Sequence, residues 1–461
     1  MSDSSSKPNV LLIMTDQQRW DYMGCAGADF LDTPNLDRLA RRGVHFPNCF
    51  TNSPLCAPAR IGLATGLHPG ITGADENDRF LPPDRTTYYQ RLRDVGYRVA
   101  CSGKLDLAKS DSDNGPDGRR PRLFQWGFTD PMESEGKGHS LGKPYPRGSY
   151  GAMLKEKGLY QKYYEERHSD SSMWYSPSEL PAETFLDVYQ GQRAVEWLRD
   201  FPRAYPWHLF VSFSGPHVPH DPPREYFDRY ADRPMPDPIP APEDERSDYF
   251  QHNQGTGPSD PAAIQQARRA YCAYIELIDE QVGQLMDVLE ERGELEDTYI
   301  MFTSDHGEML GDLEMWMKKQ PFEPSIRVPL IAAGPEIPEG RTCDALIELI
   351  DINPTICELA GLSSLPHMHA LSFTDCLSDP SQPHRTNIVS TLRQWRCIRT
   401  DRYKLVRYYN DAEEMYDLKE DPAETCNCLS QMQRDNPAVV DELRERLEER
   451  LSPSPYAHHR T

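Results

Sequence analysis

Three short stretches of this chain combine groups that could do chemistry with apolar runs able to hold them in place. Cys56-Ala57-Pro58-Ala59-Arg60 sets a thiol one helical turn before a guanidinium, and Ile61-Gly62-Leu63-Ala64-Thr65-Gly66 follows. The run predicts a helix start, whose first amides would favour an anion beside Cys56. Upstream, Val10-Leu11-Leu12-Ile13-Met14-Thr15-Asp16-Gln17 reads as a buried strand ending in a carboxylate of metal-ligand type. Downstream, Tyr299-Ile300-Met301-Phe302-Thr303-Ser304-Asp305-His306-Gly307 repeats that plan, an apolar strand with a liganding pair at its tip.

The elements that must position these groups are legible as alternating patterns. Arg98-Val99-Ala100-Cys101-Ser102-Gly103 predicts a strand that delivers Lys104 to its end. Phe185, Val188, Val195 and Leu198 mark an amphipathic helix before a strand over 208–213, which ends near His217. Tyr271, Tyr274, Ile278, Val282, Leu285 and Leu289 mark a longer helix before the strand at 299–303. Helix and strand in alternation predict an α/β domain, a large mostly parallel sheet with helices on both faces. Ligands of such sheets sit at the carboxyl ends of strands, where these motifs fall. Asp32-Thr33-Pro34-Asn35 predicts a helix entry capped by Asp32 or Thr33, with Gly43 as its stop. The chain has no internal repeats.

Residues 107–150 and the proline-rich 231–261 break the alternation and read as irregular, either substrate-shaping lids or surface loops. Arg119, Arg120, Lys137 and His139 are candidate substrate contacts there. From about 385, short alternating runs at 387–390, 395–399 and 403–407 predict a small antiparallel sheet, closed by a helix bearing Leu443, Leu447 and Leu451. The expected division is a catalytic domain over 1–380 and an α+β subdomain over 381–461.

Length and composition bound the function. The 461 residues suffice for one large domain and an appendage, and 38% hydrophobic with 27% charged residues is ordinary for a soluble globular chain. A net charge of −23 excludes a general polyanion-binding surface, so no nucleic-acid partner is expected. An anionic substrate would need a local basic pocket. No apolar run approaches the length of a membrane span, and Met1 to Pro8 lacks the character of a signal peptide. The 11 cysteines show no zinc spacing, since Cys426 and Cys428 stand too close, and they read as buried thiols of a reducing cytoplasm. A cytoplasmic location is expected.

Taken together with Tyr416-Asp417-Leu418, Asp421-Pro422 and Glu424 near the end, these motifs resemble the type I, formylglycine-dependent sulfatases of the alkaline-phosphatase superfamily over nearly the whole chain. The resemblance implies that Cys56 is oxidised to formylglycine by a formylglycine-generating enzyme. The hydrate, held at one divalent metal ion, would then attack a small anionic ester. Asp16, Gln17, Asp305 and His306, with the oxygen of residue 56, are the implied metal ligands, a mostly hard set for calcium or manganese. Many family members carry a second Asp and an Asn where this chain has Gln17 and His306, a set closer to phosphonate monoester hydrolases. Arg60 would hold the hydrate, Lys104 and Lys318 would neutralise sulfate oxygens, and His217 would be the general acid. Lys318 is chosen over Lys319 by its spacing from Asp305. Asn77 would orient hydrate and sulfate, and His220 is either a substrate contact or a loop histidine.

One position departs from the family pattern. Gly103-Lys104-Leu105-Asp106 places a carboxylate where a histidine is usual, so Asp106 is a candidate base or a substrate contact. The leading expectation is sulfate-ester hydrolysis. Phosphonate monoester or phosphodiester hydrolysis at the same site is the alternative, and a non-catalytic scaffold on this fold the remote one. Assembly into a homo-oligomer is left open. Enzymes of the superfamily with a Ser or Thr nucleophile fit worse, because they use two metals and several histidines.

Overall fold

Along the first strand, Asn9–Asp16, side chains alternate between two cores. Leu11 and Ile13 enter one apolar cluster, and Val10, Leu12 and Met14 enter the other. A strand buried on both faces belongs inside a sheet covered on both sides. The computed structural model describes residues 7–111, 115–169, 172–242, 257–410 and 412–451. It places this strand inside an eight-stranded sheet. The order runs Arg341–Thr342, Gly43–His45, Leu330–Ala333, Thr298–Ser304, Asn9–Asp16, Trp207–Pro216, Arg98–Gly103 and Asp130–Glu133. The pairings are parallel except where Leu330–Ala333 meets its two neighbours. The helices Leu186–Asp200 and Pro261–Glu291 pack one face, while Cys56–Thr65, Tyr88–Asp94 and Ile352–Leu359 pack the other.

Register brings the motifs together. Thr15 pairs with Ser304, Asp16 with Pro216, and Gly103 with Ser212. Asp16, Asp305, His217 and Lys104 therefore leave the same edge of adjacent strands. Gly103 has φ 105, and a Cβ there would stand 1.9 Å from the Ser212 carbonyl oxygen. Only glycine lets the two backbones meet so closely before Lys104.

Beyond this sheet, Ile388–Leu392, Trp395–Arg399, Tyr403–Tyr408 and Glu413–Asp417 form a four-stranded antiparallel sheet. The helix Pro437–Leu451 covers it through Val440, Leu443 and Leu447. The strand Glu413–Asp417 was not among the expected elements, because its charged residues hide the alternation. Cys49–Phe50, Arg327–Val328 and Ile347–Glu348 form a further three-stranded sheet.

Several local expectations are corrected. Neither Asp32 nor Thr33 caps the helix Pro34–Arg41, because Asp32 pairs with Arg233 and the Thr33 hydroxyl accepts from Gly24 N. Instead Asp279, reaching from the long helix Pro261–Glu291, accepts from Asn35 N at 3.1 Å and Leu36 N at 2.7 Å. Gly43 is no helix stop but the first residue of a strand, and a Cβ there would stand 2.0 Å from the Ala332 carbonyl oxygen. The segment 107–150 is more regular than expected. It contains the edge strand Asp130–Glu133 and the helices Pro121–Gln125, Lys137–Ser140 and Gly148–Glu156. Of the proline-rich 231–261, residues 243–256 lie outside the described residues. Among the described residues no helix is long and apolar enough to cross a membrane.

Removing the Asp279 carboxylate strips the acceptors from a buried helix start. Asp279→Ala is expected to cost about 1–3 kcal/mol, read as a lower midpoint in urea denaturation. An unchanged midpoint would show that this cap contributes nothing to the fold.

Candidate active site

Cys56 is the first residue of the helix Cys56–Thr65, every residue of which is buried. Its Sγ lies 3.3 Å from His306 Nε2 and 3.8 Å from Asp16 Oδ1. His306 Nε2 is in turn 3.5 Å from Asp305 Oδ1 and 3.8 Å from Asp16 Oδ1. One ligand atom from each of Asp16, Cys56, Asp305 and His306 falls within 4.8 Å of all the others. His306 Nδ1 lies 3.1 Å from the Gly307 carbonyl oxygen. A proton on Nδ1 would bond there and leave the Nε2 lone pair facing the group. Buried oxygens, a sulfur and an imidazole nitrogen converging in this way suit a single divalent cation.

Gln17 sits beside that group with φ 72, a left-handed conformation unusual for a residue with a Cβ. Its backbone N donates to Asp305 Oδ1 at 3.1 Å, and its carbonyl accepts from the Tyr271 hydroxyl at 2.6 Å. Its Oε1 accepts from Lys318 Nζ at 2.6 Å, while its Nε2 donates to Glu308. An amide oxygen has two lone pairs, so Oε1 can serve Lys318 and an ion together.

Arg60 is fully buried beneath the group. It donates to Asp305 Oδ2 at 2.7 Å, Asp16 Oδ2 at 3.4 Å, Ser212 Oγ at 2.7 Å and the Lys104 carbonyl at 2.6 Å. It thus reaches position 56 through the two carboxylates rather than directly. Lys104 Nζ pairs with Asp16 and lies 3.2 Å from Asp106 Oδ2, which Lys109 Nζ approaches to 2.7 Å. Lys318 Nζ also hydrogen-bonds His217 Nε2, and His217 Nδ1 lies 2.6 Å from the Val218 carbonyl oxygen. Asn77 Oδ1 accepts from Ala57 N at 3.0 Å, at the start of the helix that bears Cys56.

The electrostatics follow from these contacts. Burial opposes ionisation of Cys56, but Lys104, Lys109, Lys318 and His306 hold its pKa well below the ordinary thiol range. Burial and Cys56 oppose ionisation of Asp16 too, and Lys104, His217 and Lys318 outweigh them. Asp106 is likewise lowered against burial by Lys104 and Lys109. Burial, reinforced by Lys318, lowers His217, so its ring is readily neutral. For His306 burial again disfavours the charged ring, but Asp305 and Cys56 outweigh it and favour the imidazolium.

A cleft of about 480 Å³ opens beside Cys56. Asn77, Lys104, His217 and Lys318 line it, as do Lys137 and His139 from the segment expected to be irregular. Lys319 lines it as well, as an exposed side chain beside the buried Lys318. Asp106 stands behind the lysines rather than on the lining. His220 is not brought to the cleft. It is buried edge-on against Trp174 and Tyr271, and burial pushes its pKa down to about 3. Arg119 is exposed and Arg120 pairs with Glu133, both away from the lining.

The sequence reading missed Lys109, Arg167, Ser212 and Glu308. Glu308 is a buried acid two residues beyond His306 that ties Gln17 to the loop before Lys318. An acid so close behind a liganding pair was the available signal. Arg167 and Ser212 become visible only when distant segments meet, while Lys109 pairs locally with Asp106.

Known proteins share this chain's sequence and fold. A family model described as sulfatase matches residues 8–362, and one described as N-sulphoglucosamine sulphohydrolase, C-terminal, matches 311–452. The chain is 32% identical to a choline-sulfatase of Rhizobium meliloti, covering 92% of this chain and 83% of that one. It is 29% identical to an arylsulfatase of Clostridium perfringens, covering 92% and 90%. Its fold matches a phosphonate monoester hydrolase of Silicibacter pomeroyi with a TM-score of 0.80 at 22% identity, over 98% of this chain and 97% of that one.

Because the His306 imidazolium is favoured, an ion at this group must displace a proton. Calorimetric titration with Mn²⁺ or Ca²⁺ is expected to show affinity falling as pH drops from about 8 to about 6, approaching tenfold per unit below the His306 pKa. A flat profile would remove His306 from the ligand set.

Proposed function

The chain belongs to the sulfatase family, and from that premise we propose that it hydrolyses a sulfate monoester through a formylglycine hydrate made from Cys56. The observation that carries the reading is the setting of Cys56. It sits at a helix start, against His306 and Asp16, where three lysines lower its pKa in spite of burial. A field that stabilises a thiolate there stabilises any oxyanion that replaces it.

An unmodified thiol is a poor nucleophile for sulfate. Conversion of Cys56 to formylglycine would supply a hydrate whose oxygen could displace the alcohol at sulfur. A formylglycine-generating enzyme is the partner this maturation requires. A calcium or manganese ion held by Asp16, Asp305, His306 and Gln17 would supply positive charge to the attacking oxygen and to the sulfate.

The chain's own residues do the rest. Arg60 fixes both ligand carboxylates and ties them to the backbone of Lys104. Lys104 and Lys318 face the cleft where sulfate oxygens would gather charge. Asp106 orients Lys104 and Lys109 from behind, pairing with both at once. His217 and Lys318 share a proton across their hydrogen bond, and that proton can pass to the departing alkoxide. Asn77 holds the amide of Ala57 at the helix start, next to position 56.

Phosphonate monoester hydrolysis is the second reading, favoured by the imidazole of His306 among the donors. The ratio of kcat/KM for 4-nitrophenyl sulfate and a phenylphosphonate monoester separates the two readings.

The tryptic peptide Gly43 to Arg60 from protein co-expressed with a formylglycine-generating enzyme is expected to be lighter by the exchange of H2S for O. An intact thiol without sulfatase turnover would sink the reading. His217→Asn is expected to lower kcat on an alkyl sulfate by roughly 10²–10⁴-fold and far less on 4-nitrophenyl sulfate, whose leaving group needs little protonation. Equal losses on both esters would remove His217 from proton transfer.

A further inference from the structure

More cationic side chains line the cleft than the attack on one sulfate group employs. Lys104, Lys109, Lys137, Arg167, Lys318 and Lys319 all line it, and among the described residues no Asp or Glu does. Carboxylates behind the lining offset several of these cations, Asp187 acting on Lys137 and Glu308 on Lys318 among them. Asp16 pairs with Lys104, Asp106 with Lys104 and Lys109, and Asp221 with Lys137 and, at 4.0 Å, with Arg167. Of these, Asp16 also serves Arg60 and the metal-ligand group. None of these carboxylates shares the lining, so a bound anion meets only cationic side chains among the charged groups there.

This cationic lining is local and constructed. The chain as a whole carries −23, so the cleft runs against the field of the entire molecule. Lys137 is fixed by Asp221 and lies over the rings of Phe185 and Tyr274 at 4.1 and 4.3 Å. Tyr163 donates to the other oxygen of Asp221 at 3.1 Å. Arg167 approaches that same carboxylate and lines the cleft. Half-buried like charges repel one another, and an anionic ligand relieves the repulsion. Lys104, Lys109 and Lys318 act on position 56, which leaves Lys137, Arg167 and Lys319 for the rest of the substrate. The cleft is also far larger than a sulfate group needs, within the range of sites for whole small molecules.

We propose that the natural substrate is a sulfate ester whose alcohol portion carries a second anionic group, a carboxylate or another sulfate, bound by Arg167, Lys137 and Lys319. This rests on the sulfatase reading and narrows its substrate class. It separates the chain from its choline-sulfatase relative. A quaternary ammonium leaving group would enter a wall of cations.

Matured, metal-loaded enzyme is assayed on aryl sulfates matched in leaving-group pKa, one otherwise neutral, one with a carboxylate and one with a second sulfate, and on choline sulfate. At least one doubly anionic ester is expected to exceed the neutral one in kcat/KM by roughly tenfold or more. That preference should shrink when salt is raised to about 0.5 M and in Arg167→Gln and Lys319→Gln. Whichever anion wins identifies the second group. Equal or better turnover of the neutral ester, a preference for choline sulfate, or a preference unmoved in both variants would overturn the proposal while leaving the sulfatase reading intact. Absence of turnover on every sulfate ester would instead strike the hydrolytic reading. Calorimetric binding to Cys56→Ala protein then decides the substrate class, tighter binding of a doubly anionic ester supporting it and equal binding refuting it.

Discussion

The site depends on one buried guanidinium. Asp16 and Asp305 end neighbouring parallel strands whose register leaves them side by side, with Cys56 pressed against the same space. Two carboxylates and a low-pKa thiol in a dry interior would repel one another strongly. Arg60 answers that by bonding to both carboxylates at once, while its remaining contacts reach Ser212 and the Lys104 carbonyl on the next strands. One side chain therefore ties together strand ends that are distant in sequence. Breaking a buried pair of this kind commonly costs about 3–5 kcal/mol, because a stranded charge is left behind. Arg60 arises one turn into the helix that begins with Cys56, so the element that presents residue 56 also fixes its ligand partners.

Much of this was legible because burial and chemistry coincide along the chain. The apolar runs before Asp16 and Asp305 announce strands buried on both faces, and the residues at their tips announce the polar groups that meet beside Cys56. His217 and Lys104 were found by the same logic of strand ends. What stayed hidden was set by distant contacts. Asp279 replaces the local cap expected from Asp32 or Thr33. Gly43, a helix stop by type, is instead demanded by a neighbouring strand's carbonyl. His220 follows His217 by three residues in the same loop, yet it turns away into an aromatic cluster that no spacing rule reveals. The basic wall of the cleft was hidden for a similar reason, since its cations come from segments far apart in the chain and count as a group only once folded.

The small C-terminal sheet belongs to the same argument, although none of its described residues lines the cleft. Lys318 is presented by a loop whose backbone is strained. Leu310, Leu313, Glu314, Met317 and Lys319 all have positive φ between 50 and 77. Such conformations persist only where surroundings over-determine them. From the strand side, Glu308 accepts from the amides of Leu310 and Met317. From the C-terminal side, the Trp395 indole donates to the Lys319 carbonyl at 2.8 Å. Just past the loop, Lys404 bonds Glu323 at 2.9 Å and the Pro321 carbonyl at 3.1 Å, and Glu424 accepts from Glu323 N at 2.7 Å. The loop is thus clamped between two sheets. A lysine that must meet both Gln17 and His217 needs its backbone fixed within a fraction of an ångström, and a free loop could not provide that. The second sheet supplies the missing rigidity, which gives it a physical role in a site it does not touch.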